Sequence, residues 1–372
     1  MVNFNQINNI PSGEVGCDNQ ILPDIVSRES KIYLRPLNIK LDNELSWNAI
    51  ELIVREDASK FTRFKTNNLV LQEWAKKQSG EIEIKVNKLL KALNKTRSIH
   101  IGLSLDTPII MGILNVTPDS FSDGGKFRSP QEAISAGIKM AANGATIIDI
   151  GGDSTRPKSS QPSFRDEESR ILPVIAGIVR AGLTVSVDTR RSAIMKKAVK
   201  EGAAILNDVS SLSGSKDSEE VVASLGLPII LTHMQGVPEN MQDNPFYHAA
   251  PFDIFDWFEN KLRKCDAAGI SLEKIIIDPG IGFGKTLSHN LEILSNLAIF
   301  HALGCHICIG VSRKAFIGDL TGEKNPRTRL PGSLAAILHC VNEGAKILRV
   351  HDVKETNQSL SVYNAINRRG LK

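Results

Sequence analysis

From residue 109 onward the chain repeats one hydrophobic pattern, a short run of Ile, Val and Leu followed by a stretch long enough for a helix. The runs are Ile109 to Val116, Thr146 to Gly152, Leu183 to Thr189, Ala204 to Val209, Pro228 to Met234, Lys274 to Gly280, His306 to Ser312 and Lys346 to His351. Being apolar at nearly every position rather than at alternate ones, they suit parallel strands covered on both faces. A glycine stands shortly before seven of them, at 144, 182, 202, 226, 269, 304 and 344, where a helix needs a residue tolerant of positive φ to hand over to a strand. Ser129, Pro130 and Glu132 supply an N-cap, a first-turn proline and a capping acid in order. From Leu287, the residues Leu291, Leu294 and Ala298 make one helical stripe. Eight such units in about 260 residues predict an α/β fold of the (β/α)₈ TIM barrel type, typically about 250 residues. A doubly wound sheet would require a Gly-rich dinucleotide turn after its first strand, and none is present.

Upstream the pattern differs. Residues 1 to 28 are polar, Lys31 to Leu37 reads as a short strand that Pro36 confines to an edge, and two helices follow. The better helix places Ile82, Val86, Leu89, Leu90 and Leu93 on one face. From Ile99 the period changes to two, through Ile101, Leu103 and Leu105, a strand pattern. Only three of 28 glycines fall in the first hundred residues, so the two parts are built differently. A small N-terminal α+β extension over residues 1–97 and a barrel over 98–372 are expected.

Composition narrows the function classes. With 372 residues, 41% hydrophobic and 23% charged, the chain has ample core material, and no run approaches the roughly 18 apolar residues of a membrane span. The N-terminus lacks a basic start followed by an apolar stretch, so a cytoplasmic location is expected. Five cysteines, at 17, 265, 305, 308 and 340, do not make a disulfide framework. Cys305 and Cys308 form a CxxC, but no second pair accompanies it, so zinc or redox chemistry is not expected. The net charge of +4 is mild and dispersed, which argues against a nucleic-acid partner.

The polar residues collect where a barrel keeps its chemistry, at the C-terminal ends of the strands. The first strand ends at Asn115 and runs into a loop carrying Phe121 and Asp123; the second ends before Thr155, Arg156 and Pro157. Then come Asp188 and Arg190, Asn207 and Asp208, Thr232 and His233, Asp278 with Phe283, Ser312 with Arg313 and Lys314, and Arg349 with His351. Arg156, Arg190, Arg313, Lys314, Arg349 and His351 converge as donors for a polyphosphate, and Asn115 offers a neutral oxygen to a Mg²⁺ that keeps mostly water and phosphate ligands. Asp188, Asn207 and Asp278, set deeper, match the adjacent N–H donors of a flat nitrogenous ring. Asp208 and Asp352 read equally well as caps of the helices after them.

These residues sit in stretches that resemble the motif set of the dihydropteroate synthases, in the family's order. They are MGILNVTPDSFSDGGKF from 111, DIGGDSTRP from 149, SVDTR from 186, LNDVSS from 206, HMQG from 233, IDPGIGFGKT from 277, GVSRK from 310 and RVHDV from 349. The resemblance implies a folate-biosynthesis transferase that joins a dihydropterin diphosphate to p-aminobenzoate and releases pyrophosphate. It implies that Asp188, Asn207, Asp278 and Lys314 hold the pterin with Arg349 flanking the ring, and that Asn115, Arg349 and His351 hold the diphosphate with Mg²⁺ at Asn115. Thr155, Arg156, Pro157, Phe283 and Ser312 would frame p-aminobenzoate beneath a flap carrying Phe121 and Asp123, and the family's habit implies a homodimer and a sulfonamide target. The departure is Thr232, where a bulkier apolar residue is expected. The other reading is a catalytically silent pterin-binding homologue, which would be marked by loss of the loop or phosphate residues.

Overall fold

The computed structural model describes residues 22–41, 45–95, 107–117, 129–153 and 162–369. The strand expected from Ile99 and the boundary near residue 97 fall outside them. The first part is a three-stranded antiparallel sheet, β1 (Lys31–Leu37), β4 (Ala49–Arg55) and β5 (Phe61–Thr66), with a two-stranded ribbon, β2 (Lys40–Leu41) and β3 (Leu45–Ser46), between β1 and β4. Helices α1 (Asn68–Ala75) and α2 (Gly80–Asn94) follow, and α2 buries Ile82, Val86, Leu89, Leu90 and Leu93 as its spacing predicts. β1 is an edge strand, with Pro36 opposite Ile50. The sequence pattern does not announce β4 and β5. In β4, the residues Leu52 to Arg55 are all buried, so no alternation reveals the strand, and in β5 only Phe61 is buried.

The second part is a closed parallel barrel of eight strands: β6 (Ile109–Asn115), β7 (Ile147–Gly151), β8 (Thr184–Asp188), β9 (Ile205–Asp208), β10 (Ile229–Thr232), β11 (Ile275–Asp278), β12 (His306–Ile309) and β13 (Ile347–Val350), with β13 closing on β6. Each lies within its predicted run. Helices α3 (Pro130–Ala142), α4 (Phe164–Arg180), α5 (Ser192–Lys200), α6 (Ser218–Leu225), α7 (Ala250–Ala267), α8 (Leu287–Ser295), α9 (Ala315–Thr321), α10 (Leu330–Asn342) and α11 (Val353–Arg369) alternate with them. All seven strand-leading glycines have positive φ, from 62° at Gly226 to 109° at Gly144. Ser129 caps α3 by accepting from the Glu132 N–H, with Pro130 in the first turn. The helix from Leu287 is shorter than its stripe: it stops at Ser295, and Ala298 sits in a 3₁₀ helix, Leu297–Leu303.

Two apolar layers result. Between strands and helices runs one continuous core, whereas Ile109, Met111, Ile147, Ile205, Ile230, Ile276, Cys308 and Ile347 pack separately inside the barrel. Cys308 thus belongs to the barrel floor, and Cys265, Cys305, Cys308 and Cys340 are free thiols, all buried.

The extension docks on the barrel's flank. The Tyr33 ring lies 4.9 Å from Phe252 and 5.4 Å from Phe255, its hydroxyl donates to Asp256, and Phe61 stacks on Phe252 at 4.7 Å. Arg63 Nη1 donates to Asn296 Oδ1 at 3.2 Å. Among the described residues no helix is long and apolar enough to cross a membrane.

Candidate active site

Side chains two residues apart on a strand share a face. Counting two on from Ile147, Ile205, Ile230, Ile276 and Ile347 therefore puts Asp149, Asn207, Thr232, Asp278 and Arg349 on the interior, one layer above the apolar floor. Asp188, at the end of β8, joins them by its register opposite Asn207 and Gly151. The sequence thus turns from aliphatic to ionic within a single pleat.

Arg349 ties this layer together. Its Nε donates to Oδ2 of Asp149 at 2.7 Å and its Nη2 to Oδ2 of Asp188 at 2.6 Å, while Asn207 Nδ2 donates to the same Asp149 oxygen at 3.1 Å. Burial works against the guanidinium's charge, but Asp149 and Asp188 outweigh it and hold its pKa above the usual arginine range. Burial pushes Asp188 up to about 7 despite the pull of Arg349. Asp278 is raised by burial too, opposed by the Gly280 N–H that its Oδ1 accepts at 2.8 Å and by Lys314. Burial likewise lowers Lys314 to about 8, with Asp278 pulling the other way.

On the next arc, Lys314 Nζ lies 4.1 Å from the centroid of the Phe283 ring, a cation–π contact. Ser312 Oγ stands 3.1 Å from Nδ1 of His351 and accepts from the His351 backbone N–H at 3.2 Å. Between Ser312 and Lys314 the chain passes through Arg313 at φ +60°, a strained angle for a side chain of that size. Several contacts hold it there. The Arg313 N–H donates to Ser333 Oγ at 2.9 Å, its guanidinium pairs with Asp352, and Arg329 Nη1 donates to its carbonyl at 3.1 Å.

The structure therefore gathers Asn115, Asp188, Asn207, Asp278, Phe283, Ser312, Lys314, Arg349 and His351 at the strand ends of one barrel mouth. Phe121, Asp123, Thr155, Arg156 and Pro157 lie outside the described residues. Several sequence-based expectations need correction. Arg313 is engaged by Asp352 and Arg190 by Asp153, at 2.8 Å, so the cationic rim is in large part neutralised by the protein's own carboxylates. The Asp352 side chain accordingly serves Arg313, and only its backbone carbonyl accepts from the Thr356 N–H of α11. Asp208 accepts from the Ser210 and Leu212 N–H groups and fastens the turn after β9, well short of α6.

Two residues of this mouth do not stand out in the sequence. Asp149 is fully buried in mid-strand, with Oδ1 left without a hydrogen-bond partner; a carboxylate inside Ile147–Gly151 was the available signal. Lys285 is 3% exposed, donates to the carbonyls of His233 and Phe283 at 3.3 and 3.0 Å, and stands 3.1 Å from His233 Nδ1. Burial lowers it to about 7, and burial with Lys285 alongside keeps His233 well below its usual value. The loop it pins needs glycine: at Gly280, φ +73°, an added Cβ would stand 2.0 Å from the His233 carbonyl oxygen.

Comparison with known proteins agrees with this geometry. The profile of the pterin binding enzyme family matches residues 111–351. Dihydropteroate synthase of Escherichia coli strain K12 is 45% identical over 265 residues, covering 71% of this chain and 93% of that protein. That of Neisseria meningitidis serogroup C is 43% identical, covering 71% and 94%. Among solved structures, the Yersinia pestis dihydropteroate synthase in complex with a sulfonamide drug superposes with a TM-score of 0.68 at 41% identity, covering 72% of this chain and 96% of that one. The Xanthomonas albilineans enzyme in complex with 7,8-dihydropteroate gives 0.65 at 38%, covering 71% and 95%.

Proposed function

The chain belongs to the dihydropteroate synthases of the pterin-binding enzyme family, and from that premise we propose how its residues divide the reaction. The reaction condenses (7,8-dihydropterin-6-yl)methyl diphosphate with p-aminobenzoate to give 7,8-dihydropteroate and pyrophosphate. One observation carries the assignment: three oxygen-bearing side chains, Asp188, Asn207 and Asp278, stand on one interior layer around a single arginine, Arg349. Carboxylate and amide oxygens so placed accept from the ring N–H and amino groups of a flat pterin, and rings lacking those donors leave them unpaired at a cost of about 1–3 kcal/mol each. Lys314, at the edge of the layer, donates to the ring's carbonyl side.

The C–O bond between methylene and diphosphate breaks with its electron pair going to the leaving oxygen, and the aniline nitrogen forms the new C–N bond and gives up a proton. A step of this kind asks for stabilised charge on the leaving group more than for a base. Arg349 and His351 supply donors for it, and Ser312 orients the His351 ring. Asn115 closes β6 half-buried, and its amide oxygen suits a Mg²⁺ that keeps waters and phosphate oxygens as its other ligands. Among the described residues no three His, Cys, Asp or Glu side chains cluster into an all-protein cage, which fits an ion carried largely by the substrate. When bound, that ion neutralises charge on the diphosphate. Phe283 and Ser312 frame p-aminobenzoate, and Thr155, Arg156, Pro157, Phe121 and Asp123 are assigned to the same substrate on the strength of the motifs that carry them. The buried free thiols favour a cytoplasmic setting, and a homodimer is the assembly we assign.

Titration calorimetry with the pterin diphosphate tests the assignment. Asp188→Asn and His351→Ala should each weaken binding by about 1.5–3 kcal/mol, the worth of a charge-assisted contact. Unchanged affinity in both variants would remove the strand ends from the site.

A further inference from the structure

Extension and barrel meet one loop away from the active site. Arg55, the last residue of β4, is only 7% exposed. Its Nη1 donates to Oδ1 of Asp253 at 2.7 Å, and its other N–H groups donate to the carbonyls of Asp57 and Ala58. Asp253 lies in the first turn of α7, a helix whose N-cap, Ala249, has no side chain to offer. With Oδ2, Asp253 accepts from the N–H groups of His248 and Ala249 at 2.8 and 3.1 Å and so ties down the end of the β10–α7 loop. One residue earlier, the Tyr247 hydroxyl donates to the Gly284 carbonyl at 3.0 Å, and further back Gln242 Nε2 donates to the Gly282 carbonyl at 2.7 Å. Those two carbonyls flank Phe283, whose ring carries the Lys314 ammonium. There is no slack at this junction, because a Cβ on Gly284 would stand 2.4 Å from the Gln235 carbonyl oxygen.

We propose that the N-terminal extension braces the active site, with Arg55 as a positioning residue that acts through Asp253 on the β10–α7 loop and thereby on the Phe283 wall. The extension lies outside residues 111–351, which match the family profile, so the device is an addition to the common barrel. A directional chain of hydrogen bonds transmits position, and a substrate wall displaced by a fraction of an ångström loses part of its hold on the substrate it lines. The inference rests on Phe283 framing p-aminobenzoate.

The test uses the full chain and compares Arg55→Met with Arg55→Lys, Phe283→Ala and Asp57→Ala. Asp57 accepts from the Ser59 and Lys60 N–H groups, so its loss loosens the same β4–β5 turn, whose Asp57 and Ala58 carbonyls Arg55 also meets, while both side chains of the Arg55–Asp253 pair stay in place. Steady-state kinetics well below the unfolding temperature should show the KM for p-aminobenzoate rising about three- to tenfold in Arg55→Met, with kcat within about twofold, partial recovery in Arg55→Lys and no change in Asp57→Ala. Amide exchange at His248 and Ala249 should quicken in Arg55→Met alone among these turn variants. Thermal destabilisation of Arg55→Met with both KM values and both amides unchanged would overturn the brace, as would an equal rise in Asp57→Ala. If Phe283→Ala itself leaves the p-aminobenzoate KM unchanged, the reading of that wall fails, and exchange at His248 and Ala249 still judges the brace.

Discussion

The barrel interior holds two layers of the same strands, separated by one pleat and built on opposite physical terms. The lower layer, from Ile109 and Met111 round to Ile347, is apolar apart from Ser186, which β8 sets opposite Ile205, and asks little of its neighbours but shape. The upper layer sets Asp149, Asp188, Asn207, Asp278 and Arg349 at similar depth, where Asp149 is fully buried, Asp188 and Arg349 are largely so, and both carboxylates pair with the one guanidinium. On the proposed assignment the interior divides its tasks: the floor stabilises the barrel without taking part in chemistry, and the layer above gives up part of that stability to keep acceptors and one cation for a ligand.

The sharpest way to break the contrast is at Arg349. Arg349→Met strands Asp149, which is fully buried, and should cost about 3–5 kcal/mol in chemical denaturation as well as at least about a hundredfold in turnover. The triple variant Asp149→Leu, Asp188→Leu and Arg349→Met, which removes both carboxylate partners along with the guanidinium, should regain most of that stability and none of the activity, because apolar side chains of similar bulk can replace a buried ionic network without penalty. A triple variant as unstable as the single one would mean that the upper layer is not the costly one. Next in size is the floor. Ile276→Ala should lose about 2–4 kcal/mol while kcat and both KM values hold at a temperature where the variant stays folded. A kcat that falls with it would show that the two layers are mechanically one.

The smallest effect concerns pH. Asp188, raised to about 7, keeps a proton in the folded state that the unfolded chain has already released. Its contribution to stability is therefore complete below the ordinary aspartate value of 3.8 and is lost as pH rises through about 7. Ligand binding runs the other way, since the pterin donors need the carboxylate. Affinity for the pterin diphosphate should climb toward about pH 7 and decline above about 8, where Lys314 gives up its proton. Fluorescence titration across that range checks it, and a flat profile would separate these two groups from the ring.

Much of this was legible in the sequence, for a definable reason. Strands covered on both faces leave uninterrupted aliphatic runs, and glycine before a strand is a local requirement, so all eight barrel strands could be read without tertiary information. The ends of those runs likewise exposed Asp188, Asn207, Asp278, Lys314 and Arg349. What stayed hidden depends on pairing across long separations. Arg190 and Arg313 look available to a ligand until Asp153 and Asp352 are seen beside them. Asp149 hid for the opposite reason, since it sits inside a strand and not at its end, where polar residues are sought. In β4 the burial of successive residues erases the alternation that announces a half-covered strand.

Barrel closure carries one more consequence, and it concerns time. Arg349 reaches Asp188 across 161 residues and Asp149 across 200, and it does so only because β13, the last strand, pairs with β6, the first of the barrel. On the ribosome, the acids of β7 and β8 emerge long before the cation that satisfies them, and no pairing so distant in sequence can form early. An unfinished polypeptide therefore holds the acids of this layer without their shared cation, and on the proposed assignment the site is complete only once the final strand has been made and docked.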